Sequence, residues 1–499
     1  MPTRRSFIAR GALLGGACGL VGGRVLAQQE PDRDRRSNRP DRGDGSDARS
    51  EEGTQGPVID ESIGSQVELF VDHHRIDSMD GVELRLHPPR RSGAAIRFDR
   101  PWEGPTSAYV TVFEDQGQYR MYYRGSPGSR QSEQTCYAES NDGIEWRKPD
   151  LGLHDWAGSK RNNIVLRGLG THNFTPFKDP RLDVPDRERY KAVGRGIDPK
   201  RALHAFASPD GIHWSPVSPE PVFTEGMFDS QNLAFWDPVR ARYRCYFRMP
   251  YRGVRGIGVV ESDDFRRWEG SKVITLDPPH PEHFYTNATI PYFRNPRYYF
   301  AFPKRYLPNR RRLPEHSNDG VSEAVFLSSR DGVHFDRTFM EAWVRPGRDQ
   351  RNWGDRSSMP AWGLLSTAED ELSVYISQHY RFDSAHLVRA TLRPDGFASA
   401  HAGYAGGEMV TAPIRFQGRR LVLNYATGAG GSVLVELQSQ LGEPVPGFAL
   451  LDAPDLYGDA IDETYSWKSG TDVSSLAGER VRIRFVMKDC DLYSYRFTG

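Results

Sequence analysis

The chain has 499 residues, which exceeds the usual size of a single-core domain, so we expect two or more structural units. Aromatic residues make up 11% of it, and 49 glycines and 35 prolines indicate short strands joined by many turns. Lysine plus arginine equals aspartate plus glutamate at 66 each, and this zero net charge argues against a nucleic-acid or anionic-membrane partner.

The first 27 residues are predicted to be an export signal. Thr3-Arg4-Arg5-Ser6-Phe7-Ile8 matches the twin-arginine pattern, in which two arginines precede a serine and an apolar pair. A short apolar stretch follows and ends in Val25-Leu26-Ala27, a small-residue cleavage site. Because the stretch is too short to span a bilayer, we expect a periplasmic or secreted protein with no membrane insertion after signal removal.

Residues 28–60 are predicted to be a disordered linker between the signal and the folded body. They have dense mixed charge and no apolar period. The body that follows has no Rossmann fingerprint, P-loop or haem motif, and no Cys-x-x-Cys pair. Its histidines lack the spacing of metal ligands, so we predict neither a cofactor nor a metal. These histidines include His73, His74, His87, His204 and His379.

Four copies of the pattern Ser-x-Asp-(Gly or Phe)-x-x-aromatic, here called the Ser-x-Asp motif, are spread over the body. Asp-Gly favours a tight turn because glycine tolerates a positive φ and the aspartate bonds its own backbone. Each copy follows an apolar run, and the spacing of roughly 50 to 70 residues is that of a propeller blade. The copies are Ser140–Trp146, Ser208–Trp214, Ser262–Trp268 and Ser329–Phe335, with a weaker fifth at Pro394–Phe397.

We therefore predict an all-β chain in which residues 61–403 form a five-bladed β-propeller. Blade one begins with strands near Tyr109–Phe113 and Tyr119–Tyr123. Residues 404–499 alternate as strands without the Ser-x-Asp motif, and we predict that they form a C-terminal β-sandwich. The later blades are expected at about 163–217, 223–274, 282–339 and 343–400.

The innermost strands of a propeller begin near its central channel, so the residues before them converge on one funnel where a site is expected. Each predicted entrance offers a carboxylate, usually beside an aromatic residue. Paired carboxylates supply the acid and the nucleophile or base of glycoside hydrolysis. A single carboxylate more often caps a turn or pairs with arginine, but the recurrence favours a site. The candidates are Trp102, Glu103, Lys178, Asp179, Arg181, Asp229, Glu282, Tyr285, Asn287, Trp353 and Asp355.

Lys178-Asp179-Pro180 resembles the Arg-Asp-Pro element of five-bladed propeller glycoside hydrolases, the invertase, levanase and arabinanase group. In that family the aspartate stabilises the transition state by binding sugar hydroxyls. The resemblance implies catalytic roles for Glu103, Asp179 and Asp229, which follow the same order along the blades. It also implies a carbohydrate substrate, bound by the remaining entrance residues, and a C-terminal β-sandwich.

The chain departs from that family at two entrances, where Trp102-Glu103-Gly104 replaces Asn-Asp-Pro and Asp229-Ser230 replaces Glu-Cys. Glu282 and Asp355 are therefore alternatives for the general acid. Two functions stay open: an exported glycoside hydrolase acting on an oligosaccharide or polysaccharide, and a non-catalytic carbohydrate-binding or scaffolding propeller. Carboxylates about 5 to 10 Å apart around one pocket would favour the enzyme.

Overall fold

The computed structural model describes residues 61–128, 133–197, 202–316 and 320–499. The predicted signal at 1–27 and the linker at 28–60 lie outside the described residues. Four sheets of four strands and one sheet of five strands form a five-bladed β-propeller, as predicted. Helical structure in the described ranges is limited to single 3-10 turns, and none has the length and apolar character needed to span a bilayer.

In blades one to three the strand order across the sheet equals the order along the chain, and all neighbours are antiparallel. Blade one consists of Ala108–Asp115, Gln118–Gly125, Gln134–Ser140 and Ile164–Arg167. Blade two consists of His172–Lys178, Tyr190–Arg195, Leu203–Ser208 and Ser215–Pro216. Blade three consists of Leu233–Asp237, Arg242–Tyr251, Val254–Ser262 and Glu269–Val273.

Blades four and five each recruit a strand that precedes them in the chain. Thr275–Asp277 pairs in parallel with the last strand of blade four, and Arg90–Arg97 is the outer strand of blade five, where Arg97 pairs with His386. The other strands of blade four are Ile290–Tyr292, Asn295–Ala301, Leu327–Ser329 and His334–Asp336, with an inserted hairpin of Lys304–Leu307 and Val321–Ala324. Those of blade five are Leu365–Ala368, Glu371–Gln378 and His386–Leu392.

The first strands of the blades meet at the centre of the ring. The Gln231 side-chain amide, just before blade three, donates to the Val110 carbonyl of blade one at 3.1 Å. The Trp362 indole, just before blade five, donates to the Thr289 carbonyl, just before blade four, at 2.9 Å. The residues that precede the first strands are therefore brought together, as the sequence predicted.

The Ser-x-Asp motifs form turns at the ends of the third strands and join neighbouring blades. In the second copy the Ser208 hydroxyl accepts a hydrogen bond from the Gly211 amide at 2.8 Å, and Gly211 has a φ of 79°. The Gly211 carbonyl in turn accepts from the Tyr122 hydroxyl of blade one at 2.9 Å. The equivalent joints are Tyr246 to Gly332 and Tyr375 to Gly143.

Eight of the ten remaining strands in the described ranges form one sheet, which is dominated by the long antiparallel pair Arg420–Ser439 and Val481–Thr498. Alternate residues of both long strands lie in one apolar cluster. The sheet also takes Ile76–Asp80 and Val82–Leu86, which the sequence analysis assigned to the propeller, because they pair with strands after residue 397. The β-sandwich predicted for 404–499 stays a prediction. The shorter strands of this sheet are Glu68–Leu69, Ala398–Ala402, Gly407–Thr411 and Asp459–Thr464. Ser62–Gly64 and Arg415–Phe416 form a separate parallel two-stranded sheet.

Candidate active site

A cavity of about 250 Å³ opens where the first strands of the five blades begin. Every blade contributes to its wall, and most of the lining side chains are charged or aromatic. It therefore occupies the funnel in which the sequence analysis expected the chemistry. Its wall includes Arg124 and Glu133 of blade one, His172 of blade two, Asp229 before blade three, Tyr285 before blade four and Arg356 before blade five.

Asp229 is the predicted catalytic residue that the structure brings to this cavity. Its side chain is 37% exposed, the most accessible carboxylate in the wall. The Oδ1 atom lies 2.8 Å from His172 Nε2 and 3.0 Å from Arg195 Nη1. Arg248 donates from Nη2 to the Asp229 carbonyl at 2.5 Å and fixes the backbone at the entrance of blade three. Asp229 is thus held in place by three side chains and still faces the cavity.

His172 connects Asp229 to Glu133, a carboxylate that the sequence analysis did not identify. The Nδ1 atom of His172 lies 2.6 Å from Glu133 Oε2, and the other Glu133 oxygen lies 3.4 Å from Arg124 Nη1. A neutral imidazole has one N–H, so it cannot donate to two carboxylates at once. The group formed by these three side chains, here called the Glu-His-Asp triad, must therefore contain an imidazolium or a protonated carboxyl group.

The triad sets the spacing of the two carboxylates. Between them lie one imidazole ring and two hydrogen bonds, of 2.6 Å to Glu133 and 2.8 Å to Asp229. The nearest oxygens of Glu133 and Asp229 are consequently roughly 7 Å apart, within the range of about 6.5–9.5 Å found for inverting glycosidases. A carboxylate pair with catalytic spacing is therefore present, although it is not the trio that the sequence analysis selected.

Asp179, which was predicted to be catalytic, lies at the opposite end of blade two from the cavity. The innermost strand His172–Lys178 has seven residues and begins at the cavity. At about 3.3 Å per residue it carries Asp179 roughly 20 Å away from the triad. The Asp-Pro sequence ends the innermost strand instead of preceding it, which removes the basis for the resemblance at this position.

Asp179 belongs to a repeated contact between blades at that far end. In each instance an aspartate at the end of a first strand accepts a hydrogen bond from a tyrosine in the second strand of the next blade. The pairs are Asp115 with Tyr190, Asp179 with Tyr243, and Asp237 with Tyr299. For Asp179 the ionic partner is Lys191, with Nζ 2.9 Å from Oδ2. The role of Asp179 is to hold blades two and three together.

Glu103, which was also predicted to be catalytic, has a side chain with no exposed surface and does not line the cavity. Its Oε1 accepts from the Tyr123 hydroxyl at 2.6 Å, and Oε2 accepts from Lys148 Nζ at 2.7 Å. Both oxygens are thus used inside blade one. The neighbouring Trp102 donates from its indole to Asn163 Oδ1 at 2.7 Å and lines a separate depression on the blade.

Five of the predicted substrate-binding residues make structural contacts away from the cavity wall. Three of them pair with charged or aromatic side chains: Lys178 with Asp115, Arg181 with the Trp236 ring at 4.7 Å, and Glu282 with Arg305 at 2.8 Å and Arg337 at 3.0 Å. The other two bond the backbone: Asn287 accepts from the Thr289 amide at 3.1 Å, and Trp353 donates to the Gly347 carbonyl at 2.8 Å.

Tyr285 and Asp355 are the other predicted residues that the structure places at the cavity or directly behind its wall. Arg356 Nη2 donates to the Tyr285 hydroxyl at 2.7 Å, and Lys304 Nζ lies 3.8 Å from the Tyr285 ring centroid. Arg381 binds both Asp355 oxygens at 3.2 Å. Burial opposes ionisation of Asp355, but the Arg381 hydrogen bonds and nearby positive charges outweigh it and lower the pKa of this carboxyl.

Among the described residues, one group has ligand atoms close enough to hold a metal ion. Asp72, His74 and Asp336 place one such atom each within 4.8 Å of one another. Arg330 lies 3.2 Å from Asp72, and the hydrogen bond between His74 and Asp336 is 3.2 Å long. The group is therefore already neutralised by protein cations, and none of its members lines the cavity.

No family model matches the chain, and no curated protein matches it in sequence. Solved structures that resemble it in fold include one described as a glycoside hydrolase, at 14% identity and a TM-score of 0.42 over 61% of this chain and 92% of that chain. A fructofuranosidase from Schwanniomyces occidentalis has 11% identity and a TM-score of 0.39 over 81% and 98% of the two chains. An alpha-L-arabinofuranosidase from Fusarium graminearum has 10% identity and a TM-score of 0.39 over 62% and 99%. The chain is thus similar in fold to proteins described as glycoside hydrolases, at identities and TM-scores that assign neither family nor substrate.

Proposed function

We propose that this chain is an exported glycoside hydrolase that cleaves an oligosaccharide or polysaccharide in the central cavity. The observation that carries the proposal is the Glu-His-Asp triad, which presents two carboxylates at catalytic spacing in a concave wall. The cavity volume of about 250 Å³ is just below the range of about 300–1,000 Å³ typical of small-molecule sites. This size favours a single sugar residue at the end of a chain.

Asp229 supplies the acid in this proposal. Its side chain is more exposed than that of Glu133. The triad also holds a proton, which Asp229 shares with His172. That proton goes to the glycosidic oxygen as the bond to the anomeric carbon breaks, so the leaving sugar departs as a neutral alcohol. Arg195 and Arg248 then stabilise the Asp229 carboxylate that remains.

Glu133 supplies the base. The separation of roughly 7 Å between the nearest carboxylate oxygens lies in the inverting range of about 6.5–9.5 Å, and the attacking water binds on the cavity side of the His172 ring, which itself fills the gap. The water hydroxyl bonds the anomeric carbon, and its proton goes to Glu133. His172 contacts Glu133 through Nδ1 and Asp229 through Nε2, so it returns the proton to Asp229 and closes the cycle.

The test begins with a panel of aryl-glycosides and polysaccharides on the purified protein. On the substrate found, Asp229→Asn and Glu133→Gln should each lower kcat at least about a hundredfold, or roughly 3 kcal/mol in activation free energy, with little change in melting temperature. Asp263→Asn is the matched control, because its side chain is 76% exposed and lies on blade three away from the cavity.

Full activity of Asp229→Asn on that substrate would refute the assignment of the acid. Sugar binding by the wild-type protein without turnover of any member of the panel would instead favour a non-catalytic carbohydrate-binding propeller.

A further inference from the structure

The cavity carries more positive charge than its carboxylates balance. In the described part of the chain, five arginines line the cavity or contact its carboxylates: Arg124, Arg195, Arg248, Arg356 and Arg381. They face three carboxylates, namely Glu133 and Asp229 in the wall and Asp355 behind it. A buried excess of positive charge is costly unless an anion compensates it.

Arg356 donates no hydrogen bond to a carboxylate of any residue that the structure describes. Its guanidinium donates from Nη1 to the Tyr380 hydroxyl at 2.8 Å and from Nη2 to the Tyr285 hydroxyl at 2.7 Å. Among the described residues its closest carboxylate oxygen belongs to Asp355, at 3.7 Å from Nε, and Arg381 already binds both oxygens of that carboxylate. The hydrogen bonds of Arg356 therefore go to two neutral phenols.

The hydroxyl groups of Tyr285 and Tyr380 can each donate one further hydrogen bond. Tyr285 and Tyr380 each accept from Arg356, so their own O–H groups point to other partners. Within the described ranges neither hydroxyl donates to a protein acceptor, and both residues line the cavity. A guanidinium flanked by two free O–H donors is a donor set suited to an oxyanion.

Lys304 lies buried behind this side of the cavity. Its Nζ donates to the Asp355 carbonyl at 2.7 Å, and it lies over the Tyr285 ring at 3.8 Å. Burial and the nearby Arg356 charge lower the pKa of Lys304 well below its usual value. The lowered pKa reflects chiefly the burial of Lys304 and, second, the positive charge of Arg356.

We propose that Arg356, Tyr285 and Tyr380 form a subsite for an oxyanion carried by the sugar, so that the substrate is an acidic saccharide bearing a carboxylate or a sulfate. This inference rests on the proposed function, since the sugar binds in the same cavity as the triad. The oxyanion accepts from both tyrosine hydroxyls and neutralises Arg356. The triad residues come from blades one to three and the subsite from blades four and five, so one sugar contacts both.

The test compares equilibrium binding of D-glucuronate, D-glucose 6-sulfate, inorganic phosphate and D-glucose by isothermal titration calorimetry. At least one acidic sugar should bind about tenfold or more tightly than glucose, because hydrogen bonds to a charged group contribute about 1.5–3 kcal/mol. The preference should shrink at high salt. Arg356→Gln should abolish it, and Tyr380→Phe, which keeps the charge and removes one donor, should reduce it.

Arg389→Gln is the matched control, because Arg389 also lies in blade five, has a side chain that is 9% exposed against 18% for Arg356, and bonds Ser373 and Glu371 outside the cavity. It should keep the preference. Equal binding of glucose and both acidic sugars, or a preference that survives Arg356→Gln and Tyr380→Phe, would overturn the inference. If phosphate binds as tightly as the acidic sugars, the inference of an acidic sugar substrate is overturned, and the subsite binds a free inorganic anion instead.

The two proposals fail in different ways. Tight binding of glucuronate without hydrolysis of any glycoside supports the oxyanion subsite and contradicts the hydrolase. Hydrolysis of neutral glycosides without any preference for acidic sugars contradicts the subsite and supports the hydrolase.

Discussion

Replacing Asp179 by asparagine should destabilise the fold and leave kcat unchanged. The Asp179 carboxylate is 1% exposed and accepts from the Tyr243 hydroxyl and the Lys191 ammonium group. Asparagine has a similar shape but no charge. Lys191 is itself 2% exposed, so the substitution leaves a buried positive charge without its counter-ion.

The size of the effect follows from these contacts. Removing one partner of a buried ion pair costs about 3–5 kcal/mol. Two features favour the lower end of that range. Lys191 Nζ keeps its hydrogen bond to the Glu188 carbonyl at 2.8 Å, and burial already lowers the pKa of Lys191, so that it can release its proton. We therefore expect a loss of about 3 kcal/mol, which lowers the Tm of a cooperative unit of about 400 residues by about 3–4 °C.

The measurement is differential scanning calorimetry and kcat on the same preparations. Asp183→Asn is the control, because that side chain is 76% exposed and should leave the Tm unchanged. In the double variant Asp179→Asn/Lys191→Met the unpaired charge is gone, so part of the lost stability should return. An Asp179→Asn protein with wild-type Tm and a hundredfold lower kcat would refute this reasoning and place catalysis at the far end of blade two.

Two further outcomes are expected. The backbone amides and imidazole of the second Ser-x-Asp motif overcome the effect of burial and lower the pKa of Asp210 from 3.8 to about 2. The ionised Asp210 carboxylate therefore stabilises the folded protein fully above about pH 4, and this stabilisation is lost as the pH falls through 2. Asp210→Asn should flatten the pH dependence of the urea midpoint of unfolding over this interval. A pH dependence of that midpoint equal to that of the wild type would contradict this expectation. Changing Arg4 and Arg5 to lysine should retain the precursor in the cytoplasm, and fractionation that finds mature protein outside the cytoplasm would disprove the twin-arginine assignment.

The number of blades could be predicted because the turn that ends the third strand recurs, and three of its copies make the same contact with a neighbouring blade. The Gly211 carbonyl reaches Tyr122 only from a turn with positive φ, and that requirement recurs in the sequence as Asp-Gly. The strand order within blade two could not be predicted from the Lys178-Asp179-Pro180 segment alone. A second repeated pattern, Phe-x-Asp, marks where the first strand of a blade ends and would have placed Asp179 there. Its three copies begin at Phe113, Phe177 and Phe235.

The proposed catalytic pair was only half predictable. Asp229 lies at the entrance of a first strand, a position that the repeat period locates. Glu133 precedes the third strand of blade one, and its role depends on His172, which is 39 residues away in the chain. No local pattern encodes a contact that exists only after two blades pack together. The same holds for Arg356, whose partners Tyr285 and Tyr380 come from different blades.

Closure of blade five by the strand Arg90–Arg97 has a consequence for the order of events during synthesis. This strand leaves the ribosome early, but its partner His386–Leu392 is made about 290 residues later, or roughly 15–60 s at about 5–20 residues per second. Until then the strand has no partner, and closing so long a loop adds an entropic barrier to folding. The delay is longer still for the strands Ile76–Asp80 and Val82–Leu86, because their partner strands lie after residue 397. The ring therefore cannot close before residue 392 has been made, and until then the nascent protein exposes unpaired strand edges.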